Sequence, residues 1–556
     1  MKRVILILVV MSMLLVACGQ GQAPAAATTT AAAAVTTAAT TAASAATTAA
    51  QAQTSSTSDK YGGILHTTVV STDSLNPCLA IARMSTWSKM HLIYDQLITK
   101  DVATDEYIPM LATDWSISDD GLTYTFNLRD DVVFHNGEKM NAETVKKSWE
   151  FFKDAEVNAA GYPADELTCV ESITVLSEYS IEMKLSETSG LLLSAFCDLS
   201  GCVIAPKAID NYLVSQDQFD IAAGGSGPFI IDPAQTILDQ KYVYKRNPNY
   251  WMKDADGNQL PYLDGLEQTV SSDESVNFAN LQSGDFDYIS IGDMTSINKA
   301  MSMDTITAQA TGSVLNLRNY YNSAKPPFDD VKVREALDWA VDGLAIQEVM
   351  AGEYGFQLPW IVTEKQSYYV PADEWLNRYD PEKAKQMLAE AGYPNGFESV
   401  VYVGSGSQVK IAELVVEQLE KVGVKCKIEA QDTTAIKALW NVTNPDTPSG
   451  MLVINTNIPR IDPWAQYNND FGPVSSTNFG KCLDDDFQAL LLKVKQEPNQ
   501  EKRMALLTEL QDIALNYHYL KLLYNIDVYN AYTNKLQDVK FDFRGMPYWT
   551  YINFIE

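Results

Sequence analysis

The chain has 556 residues, too many for one hydrophobic core, so two or three domains are expected. Hydrophobic residues make up 46% and charged residues 20%, which is ordinary for a soluble globular protein. The formal net charge of −30 excludes a protein that binds nucleic acid through a basic surface. It also excludes attachment to anionic lipid by charge.

The first 18 residues have the pattern of an export signal. Lys2 and Arg3 precede the apolar run 4–15, which is shorter than the roughly 20 residues that span a bilayer, so a plain transmembrane anchor is the less favoured alternative. The run ends in Leu15-Val16-Ala17-Cys18, which is similar to the lipobox of bacterial lipoproteins. We predict that residues 1–18 are a lipoprotein signal peptide. Cys18 would carry the lipid that anchors the mature chain to the membrane, outside the cytoplasm.

Residues 19–58 consist almost wholly of Ala, Thr, Ser, Gln and Gly, with one proline and no charge. Such a composition has too few bulky apolar side chains to form a core. We interpret it as a flexible tether, which as a coil spans roughly 35 Å. An unstructured tail without a role is the alternative.

The rest of the chain has a mixed α/β pattern. Alternating apolar residues over 121–128 predict a half-buried strand, and Asn141 is expected to cap the helix that follows. Asp380 and Pro381 have the pattern of another helix start. The alternation of helices and short strands in the second half predicts a sheet covered by helices. Further elements are predicted as helices over 409–421 and 500–516 and a strand over 424–428.

No catalytic or metal-binding pattern is found in the sequence. The four histidines are scattered, and neither HExxH nor CxxC occurs. The Gly404–Ser407 run lacks the GxSxG spacing of a nucleophile turn and is interpreted as a flexible loop. Cys197 and Cys202 are close enough in sequence to form a disulfide outside the cell, but two buried free thiols are equally compatible with the sequence.

An ordered set of motifs lies downstream of residue 61. The clearest are Pro109–Trp115, Ser118–Phe126, Leu128–Gly137, Gly225–Phe229, Arg246–Trp251, Leu281–Asp287, Pro327–Leu337 and Tyr379–Gly396. Taken in this order, they resemble the signature of the family 5 extracellular solute-binding proteins, the peptide- and nickel-type receptors of ABC importers. Most of these residues have structural explanations, and the aromatic ones, such as Trp115 and Phe126, are expected in the core. The resemblance therefore identifies the scaffold and says little about the ligand.

The fold that this resemblance implies is α/β, a two-lobed type II periplasmic-binding-protein fold with an extra subdomain in lobe I. Chain crossings between the lobes are expected near 314–322 and 520–528. The implied domains are lobe I at 59–318 with a subdomain at about 82–200, lobe II at 319–524, and a C-terminal return to lobe I at 525–556.

The function that the resemblance implies is solute binding rather than catalysis. The chain would be the substrate-binding lipoprotein of an ABC importer, capturing a solute between two lobes and delivering it to permease subunits in the membrane. An oligopeptide is the expected solute. An oligosaccharide is the alternative, because Gly257–Asp264 resembles an insertion of sugar-binding members. We expect a monomer, with no cofactor, metal site or nucleic-acid partner.

The loop at 457–464 is the expected ligand contact. In peptide-binding relatives, an aspartate three residues before a [DE]-P pair binds the α-amino group of the peptide. Here Asp462-Pro463 matches the pair, but Pro459 occupies the aspartate position and can hold no charge. We therefore predict a charged contact from Asp462, or from Arg460 to a ligand carboxylate.

Two tryptophans are predicted to complete the site. Trp464 and Trp360 could offer flat apolar faces to a side chain or a sugar ring. For these tryptophans and for Arg460, a packed or surface position is the alternative.

Overall fold

The computed structural model describes residues 60–70, 75–77, 84–101, 104, 106–154, 166–215, 222, 224–362, 368–376, 378–404, 406–457, 462–542 and 545–555. The predicted signal peptide, Cys18 and the tether lie outside these residues. The strands of the described part are, in chain order, β1 (Ile64–Val69), β2 (Ile98–Lys100), β3 (Tyr107–Pro109), β4 (Ala112–Ile117), β5 (Thr123–Leu128), β6 (Val170–Ser177), β7 (Ser180–Leu185), β8 (Phe229–Ile231), β9 (Lys241–Arg246), β10 (Gly265–Val270), β11 (Tyr288–Ile291), β12 (Ile306–Tyr321), β13 (Gly355–Phe356), β14 (Glu398–Val403), β15 (Lys425–Ala430), β16 (Met451–Asn457), β17 (Leu520–Thr533), β18 (Leu536–Gln537) and β19 (Asn553–Phe554).

Helices alternate with these strands. The α-helices of the described part are α1 (Met84–Ile93), α2 (Ala142–Lys153), α3 (Leu192–Phe196), α4 (Pro206–Val214), α5 (Glu274–Ser283), α6 (Met294–Met301), α7 (Val331–Ala340), α8 (Gly343–Met350), α9 (Pro381–Glu390), α10 (Ser407–Glu420), α11 (Thr433–Trp440), α12 (Pro463–Phe471), α13 (Asp485–Gln496) and α14 (Gln500–Tyr517). Short 3₁₀ turns lie at Leu199–Gly201, Gly352–Tyr354 and Asp373–Trp375. None of the described helices is both long enough and apolar enough to cross a bilayer.

The first predicted strand and helix are confirmed. In β5, Tyr124, Phe126 and Leu128 are buried in alternation with more exposed residues, as a strand covered on one face requires. Asn141 caps α2 because its side chain accepts a hydrogen bond from the Thr144 amide at 3.1 Å, while the Thr144 hydroxyl accepts one from the Asn141 amide at 3.0 Å. This reciprocal pair satisfies two of the amides that a helix start leaves without partners.

The predicted elements of the second half are also present. Asp380 caps α9 by accepting from the Lys383 amide at 3.0 Å, and Pro381 opens the helix, where its missing amide costs nothing. The helices predicted over 409–421 and 500–516 are α10 and α14, and the strand predicted over 424–428 is β15.

One sheet of eleven strands runs through the molecule, in the order β15-β14-β16-β12-β17-β11-β1-β10-β9-β8, with β13 paired to β17. The pairs β1–β10 and β14–β15 are parallel, whereas the central pair β12–β17 is antiparallel, with Leu317 opposite Tyr524. A separate antiparallel sheet, β4-β5-β7-β6, lies within residues 112–185.

The buried side chains form several cores. A large core gathers residues between 65 and 288 and includes Tyr532, Trp549 and Ile552 from the C-terminal segment. Two others lie within 317–526 and 320–520. Strand β17 contributes side chains to all three cores and β12 to the latter two, and these long strands contain the positions at which chain crossings are predicted. The domain boundaries at 318 and 524 remain predictions.

Candidate functional site

A cavity of about 600 Å³ lies between residues 100–193 and residues 368–507. Pockets of roughly 300–1,000 Å³ hold small ligands in proteins. One wall comes from β2 to β5 and the turn before α3, and the other comes from the starts of α12 and α14. The larger apolar and aromatic side chains around it are Tyr107, Trp115, Tyr124, Leu193, Met504 and Leu507.

The predicted ligand contact Asp462 lies at this cavity, but its carboxylate is bonded to protein groups. Both of its oxygens accept hydrogen bonds from the guanidinium of Arg503 at 2.7 Å. Asp462 also caps α12 by accepting from the Trp464 amide at 2.8 Å, and it accepts a bond from the Ser194 hydroxyl at 3.2 Å. Its side chain is 5% exposed. A direct charged contact between Asp462 and a ligand therefore remains a prediction.

The guanidinium of Arg503 is also fixed by several hydrogen bonds to protein groups. Besides Asp462, it donates through Nε to the Val494 carbonyl and through Nη1 to the Gly190 carbonyl, both at 2.9 Å. Burial disfavours the charged guanidinium, but the adjacent Asp462 carboxylate outweighs that effect and raises the pKa of Arg503. The pair is a neutral unit in the wall of the cavity.

Trp360 does not line the 600 Å³ cavity. Its side chain is buried, its ring is parallel to that of Phe471 with centroids 5.8 Å apart, and its indole N–H donates to the Tyr467 hydroxyl at 3.1 Å. It borders a separate cavity of about 40 Å³. The ligand role predicted for Trp360 remains a prediction, and the observed contacts of its ring are with protein side chains.

The other two predicted contacts fall in or beside the same loop. Trp464 is half-buried at the start of α12, and the Lys495 ammonium lies 5.3 Å from the centroid of its ring. Arg460 lies outside the described residues. The roles predicted for both remain predictions.

Arg503 and the aromatic wall of the cavity, which consists of Tyr107, Trp115 and Tyr124, were not predicted from the sequence. Arg503 carried a usable signal, because it lies four residues before Leu507 and therefore on the predicted apolar face of α14. A charged residue on a buried face needs a partner. Trp115 is half-buried rather than fully in the core, and it borders the cavity.

The electrostatics of the cavity do not indicate catalysis. Lys100 packs its ammonium 5.1 Å from the Tyr107 ring, and burial raises the pKa of Tyr124 to about 12, which keeps its hydroxyl neutral. In the described part of the chain, no group of three or more His, Cys, Asp or Glu residues is arranged to hold a metal ion.

Two proteins that are similar to this chain in sequence are named for the solutes they bind. Heme-binding protein A of Haemophilus influenzae is 28% identical over 505 residues, which are 84% of this chain and 87% of that protein. Glutathione-binding protein GsiB of Escherichia coli is 27% identical over 335 residues, 58% of this chain and 61% of that protein. The chain thus spans less than two thirds of the second relative.

A solved structure confirms the predicted fold class. The periplasmic binding protein DppA of Helicobacter pylori, in complex with the peptide STSA, superposes with a TM-score of 0.75. It covers 90% of this chain and 99% of its own at 22% identity. The fold is the two-lobed type II periplasmic-binding-protein fold. The sheet β4-β5-β7-β6 lies within the residues at which the extra subdomain of lobe I is predicted, and that boundary remains a prediction.

The family assignment comes from most of the chain length. The model of the bacterial extracellular solute-binding proteins, family 5 (middle), matches residues 106–478. That span includes β3 to β16 and the residues of the cavity wall from Glu106 to Pro463. The chain belongs to the family 5 bacterial extracellular solute-binding proteins, which are transport receptors outside the cytoplasm and not enzymes.

Proposed function

We propose that this receptor captures an oligopeptide in the cavity between its lobes and delivers it to the permease of an ABC importer. The observation that supports the peptide is the mixed character of the 600 Å³ cavity. Aromatic and aliphatic faces line it, while Lys100, Glu106 and the Asp462–Arg503 pair supply polar groups at its walls. Peptides present both kinds of surface, since side chains and backbone amides alternate along them.

Two of the three similar proteins agree with a peptide as the solute. The DppA structure holds the peptide STSA, and another relative is named for glutathione binding. A third is named for heme binding, so the choice of a peptide depends on the mixed polar and apolar lining of the cavity.

The oligosaccharide alternative has less support. The uncharged Pro459, two tryptophans and the Gly257–Asp264 segment favour it in the sequence, but Trp360 stacks on Phe471 and Trp464 has the Lys495 ammonium over its ring. In the Gly257–Asp264 segment, the backbone and side chain of Asn258 donate hydrogen bonds to Asp254 at 2.7 and 2.9 Å, so these groups are bonded within the protein.

Thermal denaturation separates the two ligand classes. We expect pools of synthetic di- to pentapeptides to raise the melting temperature, because a ligand at 100 times its Kd stabilises the folded state by about 2.7 kcal/mol. The matched controls are free amino acids of the same composition and a series of oligosaccharides. A rise in melting temperature with oligosaccharides alone would show that the solute is a sugar and not a peptide, and the proposed receptor function would still hold.

The lipid anchor is part of the same proposal. Leu15-Val16-Ala17-Cys18 supports lipidation of Cys18, and the 19–58 segment would tether the folded lobes to the membrane. Mass spectrometry of the mature N terminus tests this, with Cys18→Ala as the unlipidated control. Identical unmodified N termini in the two proteins would contradict the anchor.

A further inference from the structure

Residues 187–194 of the extra subdomain contact residues 494–503 of the opposite lobe, and we call this the cleft-edge contact. The Gly190 amide donates to the Lys495 carbonyl at 2.8 Å, and the Thr188 hydroxyl donates to the Gln496 carbonyl at 2.8 Å. The Gln496 amide group donates to the Glu187 carboxylate at 2.7 Å. These bonds join two segments that are more than 300 residues apart in sequence.

Gly190 allows the two backbones to approach this closely. A Cβ atom built on Gly190 would overlap the Glu497 carbonyl oxygen and lie 2.9 Å from Nε of Arg503. Its three nearest neighbours all belong to Glu497 and Arg503, on the far side of the cleft. The backbone of Gly190 is not in the left-handed region, so alanine is excluded here by the opposite lobe and not by local conformation.

Arg503 is already positioned for this contact by its own lobe. Asp462 binds both ends of the guanidinium, and the Val494 carbonyl accepts from Nε. The remaining bond crosses the cleft from Nη1 to the Gly190 carbonyl. Because the bonds to Asp462 and Val494 already orient the guanidinium, little side-chain entropy is lost when the bond to the Gly190 carbonyl forms.

We propose that Gly190 and Arg503 form the closing contact of the cleft, with Arg503 as a positioning residue for solute capture. The inference relies on the proposed function, in which the two lobes separate and close around a solute. Closure aligns the Gly190 amide and carbonyl with the Lys495 carbonyl and the Arg503 guanidinium, and these bonds between protein groups stabilise the closed state in addition to any contact that the cavity wall makes with the solute. A ligand then needs less differential affinity to shift the population toward closure.

Hydrogen exchange of the solute-free protein tests the contact directly. The bond from the Gly190 amide crosses the cleft, so its exchange rate reports how often the cleft edge opens. We expect Gly190→Ala to speed exchange in residues 187–194 by about tenfold, while amides inside β5 and β14 keep their rates. Gly292→Ala is the matched control, because the nearest atom to its added Cβ is 3.9 Å away.

Two results would overturn the proposal. Unchanged exchange over 187–194 would show that close approach at Gly190 does not govern this edge. Faster exchange throughout β5 and β14 would show that the segments form one permanently packed core. Thr188→Val, which removes one bond across the cleft and keeps the side-chain shape, should give a smaller local increase of the same kind. Because no solute is present, these results are independent of whether the ligand is a peptide.

Discussion

Arg318 of β12 and Asp470 of α12 form an ion pair at 2.9 Å, with side chains that are 0% and 1% exposed. The guanidinium also donates to the Tyr320 hydroxyl at 2.9 Å and to Asn316 at 3.0 Å. Burial opposes its charge, but Asp470 more than compensates and raises the pKa of Arg318. Since Asp462 caps the other end of α12 at the cavity, this helix connects strand β12 to the Arg503 contact.

Removing one member of this pair should be costly. We expect Asp470→Ala to lower the free energy of unfolding by about 3–5 kcal/mol, because the Arg318 charge would remain buried without its partner. Urea denaturation measures the change. The exposed pair Arg129–Asp131 is the control, and Asp131→Ala should cost less than about 1 kcal/mol. Equal losses in the free energy of unfolding for Asp470→Ala and Asp131→Ala would contradict the expectation that burial makes the first pair more costly to break.

Asp462→Asn should destabilise the protein even without a ligand. The substitution leaves the buried Arg503 guanidinium without a counter-charge, and we expect a loss of about 3–5 kcal/mol in the free energy of unfolding. If the Asp462 carboxylate were instead solvated and unpaired until a ligand binds, the substitution would leave the free energy of unfolding almost unchanged. Asp210→Asn, at an exposed ion pair with Lys147, is the matched control for loss of a carboxylate.

Glu274 should make stability depend on pH. Burial, and then the neighbouring Asp293 side chain, raise its pKa from 4.5 to about 7. Because the folded value is above the unfolded one, the stabilisation is complete below pH 4.5 and is lost as pH rises through 7. The free energy of unfolding of Glu274→Gln, taken relative to that of the wild type, should therefore increase by on the order of 1–2 kcal/mol between pH 5 and pH 8, after allowance for partial solvent exposure. Urea denaturation at the two pH values measures it.

The control for this titration is Glu413→Gln, at an exposed pair with Lys410. Its difference from the wild type should stay constant between the two pH values. A Glu274→Gln difference that also stays constant would contradict the raised pKa.

Local sequence patterns were sufficient to predict much of the fold. The alternation of Tyr124, Phe126 and Leu128 and the cap at Asn141 depend on neighbours within a few residues, and both are confirmed. The ordered motifs then identified the family and its fold. These features are encoded close together in the chain, so they do not require knowledge of tertiary contacts.

The site could not be predicted to the same depth, because its contacts are distant in sequence. Asp462 is paired with Arg503, 41 residues away, and Arg503 reaches Gly190, 313 residues away. Trp360 stacks on Phe471 through packing that no spacing rule reveals. Sequence patterns indicate which residues can bind a ligand, whereas tertiary packing decides which of them are already engaged.

The aromatic wall leads to the last prediction. Trp115 borders the cavity while half-buried, so its ring can bury further surface when a solute binds. We expect Trp115→Ala to weaken binding of peptides with aromatic or aliphatic side chains by about 1.5–3 kcal/mol, roughly ten- to a hundredfold in Kd. Titration calorimetry with peptides that pass the melting screen measures the change. Trp375→Ala is the control, because Trp375 is half-buried on the Arg378 guanidinium and does not border this cavity. If both variants bind as tightly as the wild type, the solute contacts other walls of the cleft.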